Sequence, residues 1–364
     1  MRNRDSFLHL SVASVPMIAM CAVLFCPVAL AQRPAAGTQS EAANEGLSLK
    51  PKVVMTFPVD WNSSFPFPES ITAGRDGHLY ISVTDLLNPN NCQILRVTPE
   101  GTHVEVFAAL PAVTCNNAVL LGVAFDEEGR LHVAVRGLST GISGVYRAED
   151  DGSLTQVMRM PDNTIPNGIA FCGKDMYVSE TTLGAIWKRR PHDPLVATKP
   201  WFQNTSILAP TGWGANGIAF YRDALYIAVS DAGTDASGRE SGSIVRLRLR
   251  HDGSPGPYAF AAPPDARLFN VDGIAFDVSG KMWLATNTGS DGSGGKLGTL
   301  DECGRLKFLA DSPGWLDDPT QVVFGTSHGT RDTLYLTNGG LNLYQPNILS
   351  FKVGIAGVTL PAPD

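Results

Sequence analysis

The chain repeats one short phrase: Pro166-Asn167-Gly168-Ile169-Ala170-Phe171 returns as Ala215-Asn216-Gly217-Ile218-Ala219-Phe220 and as Val271-Asp272-Gly273-Ile274-Ala275-Phe276. Each copy joins a polar residue and a glycine to an apolar run, and a second apolar run follows after a short turn. Weaker copies with the same strand–turn–strand plan contain Glu69, Leu121 and Thr320. The equivalent positions are therefore 69, 121, 167, 216, 272 and 320, at intervals of 46 to 56 residues.

This repeat predicts six similar units of four short strands. A third apolar run, such as residues 144–147, follows most pairs, and turns such as Asp151-Gly152 lead to a fourth run at 155–158. Six in-phase copies without an amphipathic helix are typical of an all-β, six-bladed β-propeller with four-stranded blades around a central tunnel. Residues 53–57 are expected to pair into the last blade and close the ring. A two-domain β-sandwich protein is the alternative.

The composition agrees with a globular, turn-rich protein. Of 364 residues, 43% are hydrophobic and 17% are charged, which excludes wholesale disorder. The 37 glycines and 25 prolines argue against a helical bundle. The formal net charge of −7 lacks the basic character of a nucleic-acid binder, so we expect no nucleic-acid partner.

The first thirty-one residues have the pattern of a secretory signal peptide. Arg2 and Arg4 precede a long apolar stretch, and Ala29-Leu30-Ala31 forms a small-x-small cleavage site. We therefore predict a signal peptide over 1–31, a flexible leader over 32–48 and a propeller domain over 49–364. An uncleaved membrane anchor is the alternative. The expected product is a secreted or periplasmic monomer that has no membrane association after cleavage and acts on a small molecule.

Four cysteines remain after such cleavage: Cys92, Cys115, Cys172 and Cys303. Buried free thiols, which behave as small hydrophobes, are one expectation for all four. A disulfide bond between Cys92 and Cys115 across adjacent strands is the other, because an exported protein can oxidise them. No paired C-x-x-C pattern suggests zinc.

The start of each innermost strand is where the predicted tunnel narrows, and four of six blades carry an oxygen ligand there. These residues are Glu69, Asn167, Asn216 and Asp272. Two carboxylates and two amides on one axis predict a site for a hard divalent cation, Ca²⁺ before Mg²⁺, Mn²⁺ or Zn²⁺. The competing interpretation is turn chemistry, because Asn or Asp before glycine is common in turns.

The three phrases, with Pro68-Glu69 and Gly280-Lys281-Met282-Trp283, resemble the senescence-marker-protein/gluconolactonase/luciferin-regenerating-enzyme family over roughly residues 50–355. The resemblance implies a six-bladed propeller with a divalent cation, usually Ca²⁺, in the tunnel. It also implies hydrolysis of lactones or related esters. The family's Glu, Asn, Asn and Asp ligands match Glu69, Asn167, Asn216 and Asp272.

The chain departs from that family at one substrate contact. Gluconolactonases of the family typically carry an arginine two residues before an Asn-Asp pair, whereas Ile165 and Gly168 stand at those positions here. The resemblance therefore does not bring sugar-lactone specificity to this chain. Strictosidine-synthase-like and paraoxonase-like propellers share the architecture, so the substrate does not follow from it.

The predicted mechanism is cation-assisted hydrolysis. The cation would polarise a lactone carbonyl, and Asp272 would act as general base toward water. Polar residues at the ends of the second strands are candidates for the second shell or for substrate contact: Asp85, Glu180, Asp231, Asn287 and Asn338. Capping of turns is their alternative role. Trp213 lies just before an inner strand and is expected to line the mouth or to cover the core.

Two function classes remain open from the sequence. The first is a metal-dependent lactonase or esterase. The second is a non-catalytic propeller that binds a ligand or protein and keeps the cation for structure, since the fold alone does not decide. A strictosidine-synthase-like lyase is a third, weaker alternative.

Overall fold

A computed structural model describes residues 49–287, 295–309, 314–342 and 345–358. The predicted signal peptide and leader, over 1–31 and 32–48, lie outside these described residues. The described chain is nearly all β, with six four-stranded antiparallel sheets arranged in a ring. The prediction of a six-bladed β-propeller is confirmed.

The blades follow one another along the chain, each running from its inner to its outer strand. Blade 1 comprises β2 (Pro66–Ala73), β3 (Leu79–Asp85), β4 (Cys92–Val97) and β5 (Val104–Ala109). Blade 2 comprises β6 (Ala118–Phe125), β7 (Leu131–Gly137), β8 (Gly144–Ala148) and β9 (Leu154–Arg159). Blade 3 comprises β10 (Pro166–Cys172), β11 (Asp175–Glu180), β12 (Ala185–Arg189) and β13 (Phe202–Gln203).

The second half of the ring has the same plan. Blade 4 comprises β14 (Ala215–Tyr221), β15 (Ala224–Val229), β16 (Gly242–Leu249) and β17 (Pro255–Asp265). Blade 5 comprises β18 (Val271–Phe276), β19 (Met282–Thr286), β20 (Lys296–Leu300) and β21 (Leu306–Phe308). Blade 6 comprises β22 (Pro319–Phe324), β23 (Thr333–Asn338), β24 (Asn347–Lys352) and the strand β1 (Lys52–Thr56) from the beginning of the described chain.

Strand β1 closes the ring. It pairs antiparallel with β24, with Lys52 opposite Ser350 and Thr56 opposite Asn347. The inner strands β2 and β22 also pack against each other, as every other pair of neighbouring inner strands does. The expectation that residues 53–57 pair into the last blade is therefore confirmed, except that the strand begins and ends one residue earlier, at Lys52 and Thr56.

The last residue of the repeated phrase builds the core between blades. In five of the six interfaces, this phenylalanine meets an aromatic ring or His132 on the second strand of the preceding blade. Tyr80 and Phe125, for example, pack edge to face with ring centroids 4.9 Å apart. Such pairs contribute about 0.5–1.5 kcal/mol beyond their buried area. His132 belongs to this core, and burial lowers its pKa to about 4.

One pair of cysteines is bonded and the other two are free, so each of the two expectations holds for part of the set. Cys92 and Cys115 form a disulfide bond, with Cα atoms 5.5 Å apart. The bond joins β4 to a short helix, α1 (Ala112–Cys115), rather than two adjacent strands, so that part of the expectation is wrong. Cys172 and Cys303 are free but exposed, not buried. Within the described ranges, no helix is long and apolar enough to cross a membrane.

Candidate functional site

The six equivalent positions are β-bulges on the inner strands. The pairing register between first and second strands shifts at this point in every blade, for example between Pro166 and Ile169. A bulge inserts an extra residue and re-aims its side chain. Turn chemistry was the alternative explanation for Asn167-Gly168 and its relatives, and the structure instead places them inside strands.

The glycine of each phrase allows neighbouring inner strands to approach closely. A Cβ atom on Gly217 would lie 2.3 Å from the carbonyl oxygen of Asp272, and one on Gly122 would lie 2.3 Å from that of Asn167. A Cβ atom on Gly168 would lie 2.8 Å from the Asn216 carbonyl oxygen, and one on Gly273 would lie 2.5 Å from the Cα atom of Gln321. These glycines therefore set the width of the tunnel and bring the polar residues of successive blades together.

Hydroxyl groups at the second strands form hydrogen bonds with the backbone amides and carbonyls at the bulges. Ser179 accepts a hydrogen bond from the Gly168 amide (2.8 Å) and donates to the Asn216 carbonyl (2.5 Å), which joins blade 3 to blade 4. Ser230 donates to the Val271 carbonyl at 2.8 Å. These backbone polar groups are thus paired, which leaves the side chains of Glu69, Asn167, Asn216, Asp272 and Thr320 to line a cavity.

These side chains surround one small cavity. Its lining includes Glu69, Asn167, Asn216 and Asp272, together with Thr320. The cavity has a volume of about 10 Å³, room for a single water-sized particle. The structure therefore brings all four predicted ligand residues together, whereas their role as metal ligands stays a prediction.

The side chain of Asn216, which lines the cavity, has an oxygen atom that accepts no hydrogen bond. Its amide nitrogen donates to Ser230 at 3.1 Å, which turns Oδ1 away from that hydroxyl. Asn216 is only 5% exposed, so water does not reach its Oδ1 atom freely, and this buried oxygen has no hydrogen-bond partner. An unpaired buried carbonyl oxygen costs about 1–3 kcal/mol, a cost that a bound cation would remove.

Burial and neighbouring carboxylates disfavour the ionised form of both acidic residues in the cavity. Burial raises the pKa of Glu69 to about 7, with a further contribution from the Asp318 carboxylate. Burial and the Glu69 carboxylate raise the pKa of Asp272 well above its usual value, while a hydrogen bond from Asn287 opposes the shift. A divalent cation would favour the ionised form of both groups.

The donor set fits a hard cation better than a soft one. The described residues contain no group of three or more His, Cys, Asp and Glu side chains placed to hold a metal ion. The cavity combines two carboxylates with two amide oxygens instead, and carboxylate and amide oxygens are ligands that Ca²⁺ accepts.

Asp318 lies outside the cavity lining but acts on its carboxylates through charge, and the sequence reasoning missed it. It is 9% exposed, it accepts a hydrogen bond from Asn342 (3.0 Å), and its charge acts on both Glu69 and Asp272. Its backbone has φ of 53°, an uncommon conformation for a non-glycine residue. The one signal in the sequence was an acidic pair before Pro319, at the entry to the sixth inner strand.

Among the candidates at the second-strand ends, Asn287 reaches the ligand residues. It hydrogen-bonds to Asp272 and donates to the Pro319 carbonyl at 3.0 Å. Asp231 is only partly buried and accepts from the Gly233 amide at 2.9 Å. Neither Asp231 nor Trp213, which is half-buried in the loop before β14, lines the cavity.

The remaining candidates at the second-strand ends cap loops. Glu180 is fully buried and accepts from the amides of Ile165 (2.8 Å) and Leu183 (2.6 Å). Asn338 is also fully buried; its Oδ1 accepts from the Asp317 amide (2.8 Å). The polar atoms of Glu180 and Asn338 thus bond to loop backbone, as the capping alternative expects, whereas a role toward substrate or toward the residues around the cavity stays a prediction. Asp85 likewise accepts from four donors of its own loops.

Comparison with known proteins supports the fold. No family model matches the chain, and no curated protein matches it in sequence. Regucalcin from Agrobacterium tumefaciens, described as a calcium-binding protein, is 14% identical with a TM-score of 0.55, covering 87% of this chain and 98% of that one.

Two further solved structures widen the range of functions on this architecture. A PQQ-bound aldose sugar dehydrogenase from Streptomyces coelicolor is 15% identical, with a TM-score of 0.52 and coverage of 84% of this chain and 98% of that one. A nidogen/laminin complex gives 18% identity and a TM-score of 0.50, with coverage of 76% and 89%. At these identities the likeness shows the fold alone, and function rests on the site.

Proposed function

We propose that this chain is a divalent-cation-dependent hydrolase of lactones or esters, with Ca²⁺ as the preferred ion. The observation that carries the proposal is the single cavity shared by Glu69, Asn167, Asn216 and Asp272, in which the buried Asn216 Oδ1 has no partner. The description of regucalcin as a calcium-binding protein supports the choice of ion.

The chain's own residues supply binding and proton transfer. Glu69, Asn167, Asn216 and Asp272 would hold the ion with oxygen atoms placed by the bulges, and Asn287 would orient the Asp272 carboxylate. When bound, the ion supplies charge stabilisation for the oxyanion that develops from the substrate carbonyl. Asp272 accepts the proton of the attacking water as general base.

We also propose export to the periplasm or the medium. The support is the signal-peptide pattern over 1–31 and the Cys92–Cys115 disulfide bond, since such bonds persist in oxidising compartments.

The test uses the chain from Gln32, assayed for acid release from a panel of lactones and aryl esters. We expect turnover to vanish with chelator, to return with Ca²⁺, and to fall about 10²–10⁴-fold in Asp272→Ala. Asp231→Ala is the matched control, because Asp231 lies outside the cavity lining. No turnover on any substrate, with Ca²⁺ still raising the melting temperature, would refute the hydrolase and favour the binding propeller.

A further inference from the structure

The residue that follows each equivalent tunnel position is glycine in four blades but not in blades 1 and 6. The four glycines are Gly122, Gly168, Gly217 and Gly273, whereas Ser70 and Gln321 stand at this position in the other two blades. At Gly217, the absence of a side chain allows the Asp272 carbonyl to lie where a Cβ atom would otherwise be. Gln321 instead brings a long amide side chain to this position, and it lines the same cavity as the predicted ligand residues.

The Gln321 side chain lies beside the predicted ligand of blade 5. A Cβ atom on Gly273 would lie 2.1 Å from Oε1 of Gln321, so the amide group packs against the residue that follows Asp272. Gln321 is partly exposed, whereas Asn167 and Asn216 are buried. The Gln321 amide is therefore next to a predicted ligand, at a point that a small molecule from solvent can contact.

A backbone contact fixes the orientation of the Gln321 amide. The N–H group of Val322 donates to Gln321 Oε1 at 2.8 Å. A backbone N–H only donates, so the atom that it meets is the oxygen, and turning the amide over would break this bond. Among the described residues, the Nε2 amino group of Gln321 donates to no acceptor. Its two N–H groups are therefore available to a bound molecule.

The two asparagines of the cavity have the opposite orientation. Asn216 donates from Nδ2 to the Ser230 hydroxyl, and that hydroxyl donates its own proton to the Val271 carbonyl. Asn167 likewise donates from Nδ2 to the Thr181 hydroxyl at 3.4 Å, and the proton of Thr181 goes to a backbone carbonyl. In both asparagines the nitrogen is therefore bonded to the second strand's hydroxyl, and the oxygen is the atom left for a ligand.

These opposite orientations suit two different kinds of bound group. The oxygens of Asn167 and Asn216 carry partial negative charge, which suits a hard cation. N–H groups such as those of Gln321 suit an oxygen atom that gains negative charge during a reaction, as the donors of an oxyanion hole do. The amino group of Gln321 does not bind a cation, so its available atoms point to a role other than that of the asparagines.

We propose that Gln321 is a catalytic residue, which donates a hydrogen bond from Nε2 to the carbonyl oxygen of the lactone or ester. This inference rests on the proposed hydrolase function. The water oxygen bonds to the carbonyl carbon while Asp272 takes the water's proton, and the carbonyl π electrons move to the oxygen that Gln321 contacts. When that electron pair returns, the bond to the alcohol oxygen breaks, and the alcohol takes the proton from Asp272. Gln321 keeps its own protons throughout.

Two substitutions separate the donor from the contact with Val322. Gln321→Met removes both, whereas Gln321→Glu keeps an acceptor for the Val322 amide and removes the amino group. We expect both variants to lose about 10²–10³-fold in kcat, with little change in KM, on the lactone or aryl ester that the wild type hydrolyses fastest. Gln203→Met, on the outer strand of blade 3, is the matched control and should behave as wild type.

A binding measurement provides a readout that does not depend on turnover. Ethyl methylphosphonate is a tetrahedral anion that resembles the developing oxyanion, and calorimetry gives its affinity for the Ca²⁺-loaded chain. We expect this affinity to fall at least about tenfold in Gln321→Met, because a hydrogen bond to a charged oxygen is lost. The Ca²⁺ affinity of Gln321→Met should stay within about twofold of wild type, since the asparagine and carboxylate oxygens remain.

The outcomes separate this inference from the proposed function. Unchanged kcat and phosphonate affinity in Gln321→Met would overturn the inference and leave the hydrolase intact. Recovery of both in Gln321→Glu would also overturn it, because the Val322 contact would then explain the loss. If the wild type hydrolyses no lactone or ester, the hydrolase fails, and phosphonate affinity alone decides. Weaker binding in both Gln321 variants would then support the donor, whereas equal binding, or none by the wild type, would overturn it.

Discussion

Two sets of polar residues lie close together at the mouth of this propeller, and they serve different ends. The inner-strand bulges carry Glu69, Asn167, Asn216 and Asp272, whose side chains line one cavity, and the carbonyl of Asn216 accepts a hydrogen bond from the second-strand hydroxyl of Ser179. The second-strand ends carry Glu180 and Asn338, which are fully buried and bonded to loop backbone. The difference teaches that a polar residue is available to a ligand only when the rest of the protein has not used its atoms.

The largest effects should come from a matched pair of asparagines. Asn216→Leu removes an unpartnered buried oxygen and also the hydrogen bond from the Asn216 amide nitrogen to Ser230, and these two changes have opposite effects on stability. We therefore expect Ca²⁺ affinity to fall by about a hundredfold with little change in the stability of the cation-free protein. Asn338→Leu removes an acceptor of the Asp317 amide and a donor to the Trp315 carbonyl. It should lower the free energy of unfolding by about 2–4 kcal/mol and leave Ca²⁺ affinity unchanged.

Calorimetric titration with Ca²⁺ and urea unfolding in chelator measure the two quantities separately. If both variants lost stability and neither lost affinity, the distinction between the two sets of residues would be wrong.

A glycine pair tests whether close packing of inner strands places the bulges. Gly217→Ala would bring a Cβ atom to 2.3 Å from the Asp272 carbonyl, so backbone must shift. We expect a loss of about 2–3 kcal/mol in unfolding free energy, accompanied by weaker Ca²⁺ binding. Gly329→Ala meets no atom within 4 Å and should stay within about 0.5 kcal/mol of wild type in urea unfolding. Equal stabilities for the two variants would contradict this role of the glycine.

The smallest expected effect concerns Asp318, which belongs to neither set. Its negative charge acts on Glu69 and Asp272, so Asp318→Asn should weaken Ca²⁺ binding about tenfold in calorimetry. Asparagine tolerates the left-handed backbone at this position, so the fold should persist. Asp231→Asn provides the control, and an unchanged affinity in Asp318→Asn would exclude an electrostatic contribution.

The fold could be predicted from the sequence because the repeated residues are the ones that form the contacts between blades. The phenylalanine that ends each phrase, such as Phe220, packs on a second-strand aromatic such as Tyr177, and the glycine fixes the strand spacing. Position in the repeat also brought the four predicted ligand residues to one cavity. The strand β20 was not anticipated, because its short run contains Gly298 and follows a stretch rich in glycine and serine.

The sequence could not distinguish ligand-facing from loop-capping residues. Glu180 and Asp272 are both acidic residues at strand ends near the tunnel, and their difference lies in hydrogen bonds to amides such as those of Ile165 and Leu183. Asp318 lies in a loop, where the repeat gives no register. The disulfide bond was expected to join two adjacent strands, but Cys115 belongs to a short helix between blades, which the repeat of strands does not predict.

The pairing of β1 with β24 gives this propeller a distinctive folding order. Ser350 hydrogen-bonds to the carbonyl of Lys52 across a sequence separation of 298 residues. Bringing ends so distant together costs about 5 kcal/mol of chain entropy beyond a constant, so ring closure should come late, after the blades between them have formed. Until then the open ring leaves two unsatisfied edges, and a second chain could supply the missing strand to either. A high concentration of unfolded chains during synthesis would therefore favour dimers that exchange this strand. A low concentration, at which ring closure is faster than association between chains, would favour the closed single-chain ring.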